Sequence, residues 1–220
     1  MARAFIGFGG NIGDTRQIIT DAIVCLALRS ELQILAKSCF YQSAPIEATG
    51  SDYINAVIEI ETELTPYGLL HVCQAIEYEF GRERPYSNAP RTLDLDILSF
   101  EDVTQNETEL ILPHPRMIER SFVLLPLLEI APDFFLPNLG ALKTYLPQVA
   151  DQRIQKLPCR NCNCGEKDVY RPSSHSFIKL SPWVTYKAIS QSILLSFSLC
   201  MLSERKLLCS PHTTRPCRLC

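Results

Sequence analysis

Two carboxylates stand two residues apart in a segment that is otherwise apolar. Asp94 and Asp96 alternate with Leu93, Leu95 and Ile97, so a β-strand here would project both aspartates from one face. Since a strand rises about 3.3 Å per residue, their Cα atoms would lie roughly 6–7 Å apart. Such carboxylates can hold divalent cations for phosphoryl transfer, and the alternative is the solvated face of an edge strand.

Basic side chains surround this pair in the sequence. Arg82 and Arg84 lie in the preceding loop, and Arg91 comes just before the strand. Further along, Pro113 and Pro115 hold His114 in a rigid turn, with Arg116 and Arg120 following. Guanidinium groups bind phosphate oxygens in fixed geometry, so this cluster favours a phosphate site.

Hydrophobic periodicity predicts the strands that must position these residues. Alternating apolar residues predict strands over residues 4–8, 32–40 and 53–61, and residues 41–50 have the composition of a loop. The third strand would place Tyr53 and Asn55 on one surface. The strand containing Asp94 and Asp96 completes the set.

Capping residues and helical spacing predict the helices. Asp14 or Thr15 can begin a first helix, and Thr65, followed by proline, can begin a second that ends at Gly81. Residues 122–130 predict a short packing helix. The order predicts an α+β fold, a ferredoxin-like βαββαβ sandwich with added loops and a C-terminal helix. Two helices would cover one sheet face, and the open face would display Tyr53, Asn55 and the aspartates.

Composition excludes several classes of function. The chain has 220 residues, a net charge of -3 and a sequence pI near 5.8, so no broad positive surface favours nucleic acid or an anionic membrane. The N-terminus shows no secretory leader, which predicts a cytoplasmic protein. Residues 193–202 are apolar but too short to span a bilayer.

Cysteines divide the chain into two regions. Three of the ten occur before residue 158 and seven after it, so we predict a domain of residues 1–157 and a Cys-, Ser- and Leu-rich extension of residues 158–220. Cys159, Cys162 and Cys164, with His175 or the distal cysteines, would suit a zinc site. The alternative, which we favour, is a largely disordered extension whose sequence does not conform to the pattern of the domain.

Several segments together resemble the 6-hydroxymethyl-7,8-dihydropterin pyrophosphokinases of folate biosynthesis. They occur in that family's order, at residues 9–13, 40–46, 52–55, 74–77, 81–82, 90–97 and 113–120. The resemblance implies transfer of a pyrophosphoryl group from ATP to the pterin hydroxymethyl group, with release of AMP. It also implies two Mg²⁺ ions and a monomer whose partners are these small molecules, with neither nucleic acid nor membrane.

The same resemblance assigns roles residue by residue. Catalytic roles fall to Arg82, Arg91, Asp94 and Asp96, of which the two aspartates also hold the metal ions. ATP-binding roles fall to Gln74, Glu77, Arg84, Ile97, His114, Arg116 and Arg120. The pterin slot would comprise Ser43, Ala44, Ile46, Tyr53, Asn55 and Phe122.

One loop departs from the family pattern. Family members often have a tryptophan in the loop before residues 90–91, where this chain has Tyr86. This altered loop motivates a first rival hypothesis, a silent binding module that keeps the fold but has lost turnover. The cysteines of the extension motivate a second, a metal- or partner-binding protein that acts through them. The retained aspartates, arginines and His114 favour the enzyme.

Overall fold

The computed structural model describes residues 1–45, 50–81 and 91–158 of the chain. They all belong to one compact unit. Apart from Pro158, the predicted extension and its cysteines lie outside the described residues.

An antiparallel sheet forms the centre of the unit. Its strands are β1 Ala2–Gly10, β2 Leu32–Lys37, β3 Tyr41–Ser43, β4 Tyr53–Thr62, β5 Asp94–Phe100 and β10 Ile154–Lys156. They run in the order β10-β3-β4-β1-β5, and β2 also pairs with β4. Residues alternate between the two faces of each strand, so neighbouring strands contribute to the same two surfaces.

The strand predicted over residues 32–40 is wrong at its end: β2 stops at Lys37, and a separate strand, β3, begins at Tyr41. β2 and β3 pair with opposite ends of β4, and a register shift between Ile34 and Ala36 interrupts the alternation. Ile34 therefore packs in one core and Ala36 in the other. Between the strands, the Ser38 hydroxyl accepts from the Val57 backbone N–H at 2.9 Å, a bond that a regular ladder would make through a carbonyl. The loop predicted over residues 41–50 accordingly begins as a strand.

Two helices cover one face of the sheet, as predicted. α1 (Thr15–Ala27) begins where Asp14 accepts from the backbone N–H of Gln17, and α2 (Pro66–Glu79) is capped by Thr65. A left-handed backbone at Gly81, with φ of 78°, follows α2. No helix among the described residues is long and apolar enough to cross a membrane.

A third helix covers part of the opposite face, which the sequence predicted to be open. α3 (Ser121–Ile130) packs Leu124 and Leu127 against Val57 and Leu98 of the sheet. The uncovered remainder of that face forms the floor of a cavity. Smaller elements complete the unit: β6 Gln105–Asn106, β7 Ile111–Leu112, β8 Phe135–Leu136, β9 Gly140–Ala141 and the 3-10 helices Met117–Glu119 and Leu142–Val149.

Candidate active site

A cavity of about 260 Å³ occupies the part of the sheet face that α3 leaves uncovered. Strands β1, β3, β4 and β5, the turn at His114 and the start of α3 all contribute to its walls. Eleven of the predicted site residues line it: Ser43, Ala44, Tyr53, Asn55, Arg91, Asp94, Asp96, His114, Arg116, Arg120 and Phe122.

Two glycines that the sequence analysis did not select form part of the cavity floor. Gly9 pairs with Asp94 and Gly7 with Asp96 across neighbouring strands. A Cβ atom at Gly9 would lie 3.3 Å from the Asn55 Oδ1 atom, so any side chain there would crowd the cavity. The signal was the spacing of the glycines in β1, but the first predicted strand ended at residue 8, one residue before Gly9.

The two aspartates share the cavity but differ in their surroundings. The Asp94 side chain is 16% exposed and accepts from Arg91 Nη1 at 2.7 Å, whereas that of Asp96 is 42% exposed. Burial disfavours the charge on Arg91, but the neighbouring Asp94 carboxylate outweighs it and raises the pKa of the guanidinium. A fixed positive charge therefore lies beside the carboxylates.

Asn11 holds the backbone of Arg91 and was also missed. Its side-chain Oδ1 accepts from the Arg91 N–H at 3.0 Å, and its own N–H donates to the Arg91 carbonyl at 3.0 Å. Its Nδ2 donates to the Ser51 carbonyl at 3.5 Å. Asn11 thus ties the end of β1 to the residue that begins the aspartate segment.

His114 is held as a neutral imidazole. The Arg116 backbone N–H donates to His114 Nδ1 at 3.1 Å, so the proton of the neutral ring lies on Nε2. That atom is 4.0 Å from Asp96 Oδ2. Burial, followed by the Arg120 charge, lowers the pKa of His114 to about 4. At neutral pH the ring therefore offers a hydrogen-bond donor without adding a charge.

The cationic wall continues with Arg120. Its guanidinium carbon lies 5.5 Å from the centre of the Phe122 ring, so each side chain limits the position of the other. Burial and then the Arg116 charge lower the pKa of Arg120, although an arginine remains protonated in proteins. Positive charge on two neighbouring arginines at this wall suits a polyanion.

The opposite wall combines polar and aromatic groups. Asn55 is 3% exposed, and its Nδ2 donates to the Ser43 hydroxyl at 2.9 Å. This bond sets the orientation of the amide and leaves Oδ1 on the side of Gly9. With Tyr53 and Phe122 also at the cavity, the wall can pair with and stack on a flat heterocycle.

The remaining predicted residues lie elsewhere or are not described. Gln74 is exposed on α2, Ile97 is buried in the core under the helices, and Glu77 is 1% exposed with Oε1 accepting from the Leu95 N–H at 2.7 Å. Glu77 thereby ties α2 to the start of β5. Their predicted contacts with ATP stay predictions. Ile46, Arg82, Arg84 and the loop of residues 85–89 lie outside the described residues.

The donor set fits magnesium bound together with a phosphate substrate. Among the described residues, no three or more His, Cys, Asp or Glu side chains are grouped as a metal site. Mg²⁺ in phosphoryl-transfer enzymes is usually held by one or two carboxylates together with phosphates and waters. Asp94 and Asp96 at one cavity provide that number of carboxylates.

Comparison with known proteins gives a consistent family match. Residues 5–132 match the model of the 7,8-dihydro-6-hydroxymethylpterin-pyrophosphokinase family. The chain is 43% identical over 134 residues to a 2-amino-4-hydroxy-6-hydroxymethyldihydropteridine pyrophosphokinase of Methylorubrum extorquens, covering 60% of this chain and 85% of that one. The corresponding Haemophilus influenzae protein is 40% identical over 159 residues, covering 71% of this chain and 99% of that one.

Solved structures show a similar fold. A structure of HPPK-DHPS in complex with substrates aligns with a TM-score of 0.54 at 13% identity, covering 66% of this chain and 43% of that one. Plasmodium falciparum HPPK-DHPS with pteroate aligns at 0.55 and 14% identity, covering 67% and 44%. The chain thus spans less than half the length of these structures, and the likeness supports the predicted α+β fold.

Proposed function

The chain belongs to the 7,8-dihydro-6-hydroxymethylpterin-pyrophosphokinase family. From this we propose a role in the reaction for each residue of its cavity. The reaction transfers the pyrophosphoryl group of ATP to 6-hydroxymethyl-7,8-dihydropterin in folate biosynthesis, giving AMP and the pterin diphosphate. The observation that supports the assignment is a single cavity lined by two carboxylates, three arginines, a neutral histidine and a polar aromatic slot.

The pterin occupies the wall formed by β3, β4 and the start of α3. The buried Asn55 amide pairs with the polar edge of the heterocycle, in the orientation that Ser43 imposes. Tyr53 and Phe122 contact its faces, because a flat conjugated ring stacks favourably on aromatic side chains. The absence of side chains at Gly7 and Gly9 provides the room.

The triphosphate lies toward Arg91, His114 and Arg120. Phosphoryl transfer requires positioning and stabilisation of charge more than covalent chemistry from the protein. Arg91 and Arg120 offset negative charge, and the His114 Nε2–H donates to a phosphate oxygen without requiring protonation. Arg116 extends the same wall. Arg82, Arg84, Gln74, Glu77 and Ile97 keep their predicted ATP-side roles as part of this proposal.

Asp94 and Asp96 would hold the two magnesium ions that the family resemblance implies. When bound, the ions neutralise phosphate charge and orient the reacting groups. The pair between Arg91 and Asp94 keeps that carboxylate oriented, and the more exposed Asp96 remains accessible from the cavity.

We further propose a monomer that works in the cytoplasm. The monomer is the expectation stated with the family resemblance, in which small molecules are the partners. Cys39 and Cys73 are buried thiols outside any disulfide, which suits a reducing compartment. Sedimentation of the full chain tests the first part, and a dimer would contradict it.

The decisive assay mixes the full chain with ATP, Mg²⁺ and 6-hydroxymethyl-7,8-dihydropterin. AMP and the pterin diphosphate should form together. A pterin lacking the hydroxymethyl group is the matched control, because it can occupy the slot but has no acceptor oxygen. Formation of ADP, or binding of both substrates without turnover, would overturn the proposal, and the second result would identify a silent binding module.

A further inference from the structure

The end of the described chain runs behind two walls of the cavity, where it contacts backbone groups of Ala44, Glu119 and Ser121. It follows the 3-10 helix Leu142–Val149, whose Leu142 and Val149 side chains are buried beneath α3. β10 then pairs with β3 and places Ile154 opposite Ser43. The segment lies beyond residues 5–132, the range that matches the family model. Its side chains support the cavity walls from behind, since none of them lines the cavity itself.

Gln152 uses both ends of its side-chain amide. Its Nε2 donates to the Glu119 carbonyl at 2.7 Å, and its Oε1 accepts from the Ser121 N–H at 2.8 Å. The two backbone groups stand on either side of Arg120. A single side chain therefore holds the turn that leads from the 3-10 helix Met117–Glu119 into α3.

This turn needs an external partner. The first N–H groups of a helix have no acceptor within the helix, and Arg120 at the N-cap of α3 makes no side-chain capping bond. Ser121 is only 1% exposed, so water does not readily reach its N–H. Gln152 supplies the missing acceptor from 31 residues further along the chain.

The turn determines where two predicted site residues point. Arg120 and Phe122 flank Ser121, and both side chains line the cavity. The Arg120 guanidinium also rests over the Phe122 ring. A shift of this backbone would therefore move a phosphate-binding group and a pterin-stacking group together.

Arg153 secures the opposite wall in the same way. Its carbonyl accepts from the Ala44 N–H at 3.2 Å, and its guanidinium pairs with Asp52. The other Asp52 oxygen accepts from Gln42 Nε2 at 2.9 Å. Gln152 and Arg153, which are consecutive in the chain, thus hold the two sides of the pterin slot through their contacts.

We propose that Gln152 is a positioning residue for the transfer reaction, fixing the turn that presents Arg120 to the phosphates and Phe122 to the pterin. The proposal rests on the proposed function, and it assigns to the last described segment a share in substrate recognition. Since small displacements of reacting groups cost much of the rate, the loss of this turn should appear in kinetics as well as in stability.

The test replaces the amide with a side chain of similar length that makes neither bond. Gln152→Met should lower kcat/KM by about tenfold or more and weaken pterin binding, because the buried Ser121 N–H loses its acceptor. Gln155→Met is the matched control, since Gln155 lies exposed on the same segment. Pterin affinity is measured directly by fluorescence titration, and rates are normalised to folded protein by circular dichroism.

A conservative variant separates positioning from folding. Gln152→Glu keeps an acceptor for the Ser121 N–H at a helix N-terminus, where negative charge is favoured, but it loses the N–H that donates to the Glu119 carbonyl. Its pterin affinity should therefore lie between those of Gln152→Met and the parent chain. Values of kcat/KM and pterin affinity for Gln152→Met within about twofold of the parent chain would overturn the proposal. An inactive parent chain would instead refute the proposed function.

Discussion

The two faces of the central sheet differ in how completely they are covered. Beneath α1 and α2, side chains such as Ile6, Ile58 and Leu69 form a continuous apolar core. On the other face, Val57 and Leu98 pack against α3, and the remaining area is a polar cavity. Adjacent residues of one strand therefore serve different purposes. Mutations should affect mainly stability on the first face and mainly turnover on the second.

The largest effect is expected at the aspartates of the cavity face. Asp96→Asn removes a carboxylate from a partly exposed position, so kcat should fall by about 10²- to 10³-fold while the unfolding temperature stays close to that of the parent. AMP formation and thermal unfolding measure the two quantities. A drop in stability with retained turnover would reverse the assignment of the faces.

The helix-covered face provides the opposite test. Leu69 is fully buried on α2, and Leu69→Ala should destabilise the unit by about 2–5 kcal/mol through lost burial and a cavity. Urea unfolding measures the change. Turnover per folded molecule should be preserved at low temperature, and a loss comparable to that of Asp96→Asn would show that the faces are not separable.

A mutation of Asn11 should give an effect smaller than that of Asp96→Asn, because Asn11 acts on the site only by joining the end of β1 to Arg91. Asn11→Ala should lower kcat by about tenfold, because the Arg91 N–H loses its acceptor. The Arg91 backbone is then held less firmly, and the guanidinium is no longer fixed in position. Asn11→Asp keeps the acceptor and should retain more activity. Steady-state kinetics of Asn11→Ala and Asn11→Asp measure both values of kcat. Equal losses in the two variants would show that the bond to Ser51 matters instead.

Acidification should reveal the neutral state of His114. Its pKa is lowered from 6.5 to about 4 in the folded chain, so the unfolded chain binds the extra proton first and stability falls as the pH drops below about 6.5 toward 4. Between about pH 7.5 and pH 6 the loss should remain under about 1 kcal/mol. His114→Gln should reduce the pH dependence of the free energy of unfolding over this range, measured by urea unfolding at several pH values. An unchanged slope would contradict the depressed pKa.

The smallest effect is expected from removing the extension. Truncation after Leu157 keeps β10 and the bond from the Leu157 N–H to the Phe40 carbonyl, so kcat and the unfolding temperature should match those of the full chain. This tests the predicted domain boundary. Loss of activity, or of zinc found in the full chain by elemental analysis, would show that the cysteines contribute.

Local patterns predicted much of this molecule because they are set by neighbouring residues. The caps at Asp14 and Thr65 and the alternation through Ile58 follow from spacing along the chain. The same spacing brought Asp94 and Asp96 to one surface. Eleven predicted site residues meet at one cavity, although those assignments drew on the family resemblance as well.

Features that depend on distant partners were not predictable in the same way. The break at Ser38 depends on a bond to Val57 in another strand, and the burial of Glu77 depends on Leu95. Gln152 has no local signature, because its role arises only when two segments meet. Periodicity also could not show that α3 would cover part of the face expected to be open.

The last strand of the described residues has a consequence for the solubility of the chain. A sheet edge with unpaired backbone groups is a template on which another molecule can add a strand. β10 covers the edge of β3, is only three residues long and ends in Lys156, whose amine pairs with Glu129 at 3.1 Å. A short, charged closing strand discourages further additions. Shortening the chain ahead of Gln152 would therefore expose β3 to neighbouring molecules and invite aggregation.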